Sequence, residues 1–291
     1  MRISGRIAAA LGALVLAACS TQSRSGLPGP GFDGERALVL VEQQLAFGPR
    51  IPGTQAHLET GEWIVTMLED LGWEAEIQPF DAQGIPARNL IARAPGQGPA
   101  ILLGAHYDTR ARADRDPLTP GAAVPGANDG ASGVAVLLEL ARVLPPGSLP
   151  YPLWLAFFDA EDGGGIEGRD WILGSTHFAE TLETLPAAVV IVDMVGDRDL
   201  QLYIEGNSDP ALAAEIWEVA AGLGYDSFIP EVRHTILDDH IPFVLRGIPA
   251  IDIIDFDYPA WHTTRDTLDQ IGASSLEQVG RTLEAWLRAR P

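Results

Sequence analysis

The chain has 291 residues, 46% hydrophobic and 20% charged, enough for one large α/β unit or two small ones with ample core. Forty acidic residues against 19 basic ones leave a formal net charge of −21, which makes nucleic acid and anionic membrane surfaces poor partners. Every basic residue is arginine, so Schiff-base, lysine-nucleophile and P-loop chemistries are excluded, and Gly163 to Gly165 form a loop rather than a phosphate cradle.

At the N-terminus, Arg2 and Arg6 precede an apolar run, Ile7 to Ala18, that is too short to span a bilayer comfortably. The run closes on Leu-Ala-Ala-Cys, and Cys19 is the only cysteine in the chain. This pattern resembles a bacterial lipoprotein signal. It implies a signal over residues 1–19, a lipid anchor at Cys19, an exported chain held at the cell envelope, and no disulfide. Residues 20–33, rich in Ser, Gly and Pro, are expected to be a flexible tether.

From residue 34 onward the pattern alternates. Apolar spacing predicts helices over Gly34 to Phe47 and Gln55 to Leu71, the second stopped by Gly72. Strands are expected over Glu74 to Phe80, Asn89 to Ala94 and Ala100 to Tyr107. Arg112 to Asp129 is a long Pro/Gly loop, and loops of that length usually carry function. An amphipathic helix over Gly133 to Leu144 comes next, then a strand over Trp154 to Asp159 and a helix near Trp171 to Phe178. A strand over Ala188 to Met194 and a helix over Pro210 to Gly222 follow. Asp239 to Arg246, Ala250 to Ile254 and Ser275 to Ala289 complete the order as helix, strand and helix. Helices alternating with continuous apolar strands predict an α/β three-layer sandwich around a central mixed, mostly parallel sheet.

In such sheets ligands bind beyond the carboxyl ends of the strands, and these ends are crowded with one kind of chemistry. The strand before Tyr107 delivers His106 and Asp108. "LWLAFFDAED" delivers Asp159, Glu161 and Asp162, three carboxylates in four positions. "AVVIVDMVGD" delivers Asp193, and "AIDIIDFDYPAWHTT" delivers Asp252, Asp255, Asp257 and His262. Asp129, in "PGANDGASG", stands at the mouth of a helix. Singly, each has an ordinary explanation, such as a helix cap for Asp129. Together, carboxylates and imidazoles at neighbouring strand ends are what a Zn²⁺ site needs, and a divalent cation would let Glu161 and Asp162 sit side by side. Ser132 does not sit in a nucleophile elbow, because Val134 occupies the last glycine position.

The motifs "HYD", "ANDGASGVAVLLELAR", "FFDAED…LGS", "DMVG" and the late "WHT" resemble, in order, those of the co-catalytic zinc aminopeptidases and of the glutaminyl cyclases that share their fold. The likeness runs from about Gln55 to the C-terminus. It implies a single zinc-dependent catalytic domain over residues 34–291, with His106, Asp129, Asp162 and His262 as metal ligands. Asp193 is a possible second-site ligand and Glu161 the general base. Asp162 stands where the family usually has Glu, one methylene longer. The resemblance also implies a cis peptide between Asp129 and Gly130.

Two enzymes share this toolkit. "ILDDHIPF" and the longer insertion after Asp162 favour a glutaminyl-peptide cyclotransferase acting on peptide or protein N-termini. On that reading Asp239 joins Glu161 and Asp193 in an acid network, Trp261 lines the substrate pocket and one Zn²⁺ suffices. The cyclases' second pocket tryptophan is not evident near Ile166, and Trp171 is its candidate only if the loop folds differently. The alternative is an aminopeptidase with two zincs, and a third reading is a non-catalytic envelope binding domain. For "DDHIPF" the plain structural expectation is a helix start with Asp238 or Asp239 as cap.

Overall fold

The computed structural model describes residues 1 and 31–291. The signal, Cys19 and the tether up to residue 30 lie outside the described residues. The end of the expected tether belongs to the fold. Phe32 is fully buried against Gly280, its N–H donates to Glu284 Oε2 at 2.8 Å, and the Asp33 carboxylate caps the first helix at Glu35 N and Arg36 N.

Six strands form one sheet in the order β1 (Glu74–Ala82), β2 (Ile85–Ala94), β4 (Leu153–Phe158), β3 (Ile101–His106), β5 (Ala188–Asp193), β8 (Ala250–Ile254). The pairs β4–β3, β3–β5 and β5–β8 are parallel, and the β1–β2 hairpin adds two antiparallel pairings at one edge. The sequence shows why. β3, β5 and β8 are buried at every position and β4 at all but Trp154, as strands covered on both faces must be. β1 alternates, with one side to solvent. Its turn to β2 uses Gln83 and Gly84, both at positive φ, the twist that two-residue hairpins favour.

Helices α1 (Gly34–Ala46), α2 (Gln55–Asp70), α3 (Ala131–Val143), α5 (Pro210–Leu223) and α7 (Ala273–Ala289) form one layer over the main core. Helices α4 (Leu173–Thr181) and α6 (Ile241–Leu245) cover the other face, where Phe158, Phe178 and Phe243 meet with ring centroids 5.8–6.3 Å apart. The three-layer expectation holds.

Helix α3 departs from its amphipathic expectation, for every residue except Arg142 is buried. It lies between the sheet and α1 and α7, so it has no solvent face to keep polar. Gly133 permits this approach, since a Cβ there would fall 2.1 Å from the Val192 carbonyl oxygen. The buried Glu139 is matched by Arg142 Nε at 2.9 Å and Arg36 Nε at 3.4 Å. Two short strands, β6 (Leu202–Ile204) and β7 (Phe228–Val232), were not expected. They pair in parallel as a separate small sheet, joined through α5.

Candidate metal centre and cleft

The chain reverses from β3 to β4 on one side and to β5 on the other, so a crevice opens beyond the ends of these strands. Sharp backbone turns aim the side chains into it. Ala160, Met194 and His262 all hold left-handed conformations, at φ 54°, 45° and 56°. A non-glycine residue there costs of order 1–3 kcal/mol, and such residues cluster at functional sites.

The three acids after β4 part company. Asp159 turns away from the cleft to His57 Nε2 at 2.8 Å, and accepts from Arg88 N at 2.7 Å and the Tyr107 hydroxyl at 3.0 Å. Glu161 and Asp162 enter the cleft. Their backbone N–H groups donate to the two oxygens of Asp108, at 3.1 and 3.2 Å, which fixes the turn.

Two groups of ligand-type residues meet there, His106 with Asp129 and Asp193, and Asp129 with Asp162 and His262. Asp129 is shared. Its Oδ1 lies 3.2 Å from His106 Nε2, and its Oδ2 lies 3.7 Å from His262 Nε2. His106 Nε2 is 3.1 Å from Asp193 Oδ1, and His262 Nε2 is 3.3 Å from Asp162 Oδ1. Tetrahedral Zn²⁺ with ligands at about 2.1 Å has edges of roughly 3.4 Å, so these spacings suit the ion. Asp129 Oδ2 and Asp162 Oδ2, both buried, have no hydrogen-bond partner, as expected of oxygens kept for a cation. The residues fit zinc, and Asp at 162 reaches its place despite the missing methylene.

Charge tells the same story. Burial, then Asp238, Asp162 and Asp239, push the Glu161 carboxyl well above its usual range against the pull of His106. Burial and Asp129 raise Asp162 to about 6. Asp129 is the exception. Burial works against it, but the hydrogen bond and charge of His106, with His262 and Arg110, hold it low. His106 is raised well above its ordinary value by Asp193, Asp108 and Asp129 although burial opposes this.

The cis peptide does not occur. The Asp129–Gly130 bond is trans, and no described peptide bond is cis. Gly130 makes the turn at φ 85°, where a Cβ would meet the His106 carbonyl at 2.7 Å. Asp129 is aimed instead by Asp266, which accepts from Asn128 N at 2.8 Å and Asp129 N at 3.2 Å.

Asp238 and Asp239 do not cap α6; its N-cap is His240, with no side-chain cap bond. Both are buried beside Glu161 and Asp193, and Asp238, not Asp239, lines the cleft. Burial raises Asp239 to about 7. Asp255 and Asp257 stay outside the two groups. Asp255 holds the N–H groups of Gln201 and Asp257, and Asp257 pairs with Arg233 and His234.

The cleft holds about 190 Å³ and has two aromatic walls. Trp261 packs on His262 at 4.2 Å, with the Arg115 guanidinium 3.9 Å from its ring centre. Trp171 stacks on His262 at 6.0 Å and carries Arg110 at 4.9 Å, which in turn pairs with Asp162 at 3.2 Å. Trp171 thus takes the second wall because α4 starts only at Leu173 and Gly164 leaves room for its ring, where a Cβ would collide at 2.0 Å.

Sequence reasoning missed Asp238, Arg110, Asp266 and Arg50. Asp266 carries a signal, standing four residues after His262. Arg50, fully buried, holds the carbonyls of Pro125 and Gly126 at 2.7 and 2.6 Å below Asp129, and nothing local marks it.

The profile of Peptidase family M28 matches residues 89–287. The glutaminyl-peptide cyclotransferase of Drosophila melanogaster is 28% identical over 270 residues, covering 79% of this chain and 74% of that protein. The crystal structure of Porphyromonas gingivalis glutaminyl cyclase superposes with a TM-score of 0.81 at 36% identity, over 88% of this chain and 98% of that one. A leucine aminopeptidase precursor from Bacteroides thetaiotaomicron superposes with a TM-score of 0.85 at 33% identity, over 90% and 99%.

Proposed function

The chain belongs to peptidase family M28, and from that premise we propose that it is a zinc-dependent glutaminyl-peptide cyclotransferase, which turns the N-terminal Gln of a peptide into pyroglutamate and releases ammonia. The observation that carries this reading is the acid cluster. Asp238 and Asp239 are buried against Glu161 and Asp193 instead of capping α6, and proton traffic between an amine and leaving ammonia is a use for such a cluster.

Asp129, Asp162 and His262 would hold the zinc ion, whose part is to polarise the side-chain carboxamide oxygen of the substrate Gln. The acidic cleft draws in the substrate's free amino group, and Trp171 and Trp261 flank the Gln side chain. Glu161 takes a proton from the α-amine as its nitrogen bonds to the carboxamide carbon. The same carboxyl then returns the proton to the departing nitrogen as the C–N bond breaks. Asp238 and Asp239 raise the proton affinity of Glu161 through their charge. Trp261→Ala and Trp171→Ala are each expected to raise KM for a Gln-peptide roughly 10-fold, equal to ~1.4 kcal/mol of lost contact, with kcat changed much less. A fall in kcat at unchanged KM would remove both from the binding wall.

The complete second group, His106 with Asp129 and Asp193, favours an aminopeptidase as the other reading. There two zincs would be held and Glu161 would deprotonate water. Incubation with a Gln-peptide and with a Leu-amide, following ammonia and free amino acid separately, divides the two. Asp239→Asn should depress cyclisation about 10²–10⁴-fold. Leu-amide cleavage with no ammonia, tolerant of Asp239→Asn, would establish the aminopeptidase.

Export and a lipid anchor at Cys19 are part of the proposal, resting on Arg2, Arg6, the apolar run and the single cysteine. Among the described residues no helix is long and apolar enough to cross a membrane. Cys19→Ser is expected to move the protein from the membrane to the soluble fraction; an unchanged distribution would remove the anchor.

A further inference from the structure

Behind the cleft wall a third set of ligand-type side chains meets in the protein interior. The donor atoms of Asp238, His240 and Asp252 lie within 4.8 Å of one another. Asp252 is the anomaly. It sits in the middle of β8 between Ile251 and Ile253, only 1% exposed, and neither carboxylate oxygen accepts a hydrogen bond. An unpartnered carboxylate in the interior costs several kcal/mol unless something neutralises it. The titratable groups bearing most on it, Asp238, Asp193, Glu205 and Asp239, are all carboxyls, and none can supply a positive charge.

His240 is fully buried. Its Nε2 lies 3.0 Å from Glu205 Oε2. Glu205 already accepts from Asn207 N at 2.8 Å, Ile236 N at 3.0 Å and the Ser208 hydroxyl at 3.2 Å. Although burial pushes the other way, His240 and these amides hold the Glu205 carboxyl below its usual range. At 3.0 Å from Glu205 Oε2 the ring is not aligned for a hydrogen bond, and neither of its nitrogens has a hydrogen-bond partner. Nδ1 lies 3.9 Å from Asp252 Oδ2, so a free ring nitrogen and a free carboxylate oxygen face each other in the interior. A carboxylate behind an imidazole whose other nitrogen is free is the usual support of a metal-ligating histidine.

We propose that Asp238, His240 and Asp252 form a third zinc site, distinct from the two groups that share Asp129. Two carboxylates and a neutral imidazole match the charge and ligand preference of Zn²⁺. The ion draws Asp252 and His240 together from 3.9 Å toward the roughly 3.4 Å edge of a tetrahedral site. Asp238, which lines the cleft, provides the entrance. Bound there, zinc ties the segment before α6 to β8 and offsets the charge of Asp252.

Crystals of the full chain soaked in zinc, measured on both sides of the zinc absorption edge, test the site directly. The expected result is an anomalous peak between Asp238, His240 and Asp252, separate from any peak at Asp129. Zinc analysis of dialysed protein should show one ion fewer per chain in Asp252→Asn than in the wild type, with the peak at Asp129 retained. A map with zinc at Asp129 and none at Asp252, or an unchanged zinc count in a folded Asp252→Asn, would mean that protons neutralise the cluster and would overturn the site. Should Asp252→Asn fail to fold, the wild-type map decides alone.

Discussion

Glu161→Gln is expected to lower turnover by about 10²–10⁴-fold while the zinc content stays at its wild-type value. Glu161 is buried at the cleft, 3.9 Å from His106 Nδ1, and belongs to neither zinc group. Its proton affinity is raised by burial and by Asp238, Asp162 and Asp239, which suits a carboxyl that must take a proton and give it back. Gln preserves size and hydrogen-bonding shape but can do neither. Turnover and metal analysis on the same preparation separate the possibilities. Retained activity would remove Glu161 from the chemistry, and lost zinc would make it a ligand.

The metal-free protein is expected to lose stability as pH rises from about 4 to about 7. Burial raises Asp239, Asp255 and Asp266 to about 7 from an ordinary 3.8. Between these values the folded chain keeps protons that the unfolded chain releases, so stability falls with rising pH and the loss is complete above about 7. Each pKa unit corresponds to ~1.36 kcal/mol, which puts the three groups together on the order of 10 kcal/mol. His106 acts in the same sense, since its raised value favours the folded state below pH 6.5 and that help fades as pH climbs. Zinc requires deprotonated ligands, and Asp162 titrates near 6, so metal binding strengthens over the same window. The urea midpoints of chelated and zinc-loaded protein should diverge between pH 4.5 and 8. A chelated midpoint that is flat or rises over that range would contradict these assignments.

Much of the candidate metal centre was legible because apolar strands that run into acids or histidine are conspicuous, and β3, β4 and β5 each end that way. What the local pattern could not show depends on packing between distant segments. Trp171 reaches the cleft only because Gly164 leaves space for it. Asp159 looked like its neighbours until His57, more than a hundred residues earlier, claimed it. That Asp238 and Asp239 do not cap α6 depends on where the helix starts, at Ile241 behind His240. Helix α3 read as amphipathic because a sequence window does not reveal that α1 and α7 cover its outer side.

Ala160 and Met194 bear on how the protein can change over generations. A glycine at either position would relieve a left-handed backbone at no steric expense, and one codon step reaches glycine from alanine. Selection for endurance alone would therefore favour Ala160→Gly, while selection for activity favours whatever keeps Glu161 pointed inward. The two pressures oppose each other at a residue whose side chain packs with Ala82 and Ala87, outside the cleft lining. Lineages that keep a side chain there would be those in which the orientation of the neighbouring carboxylate outweighs durability.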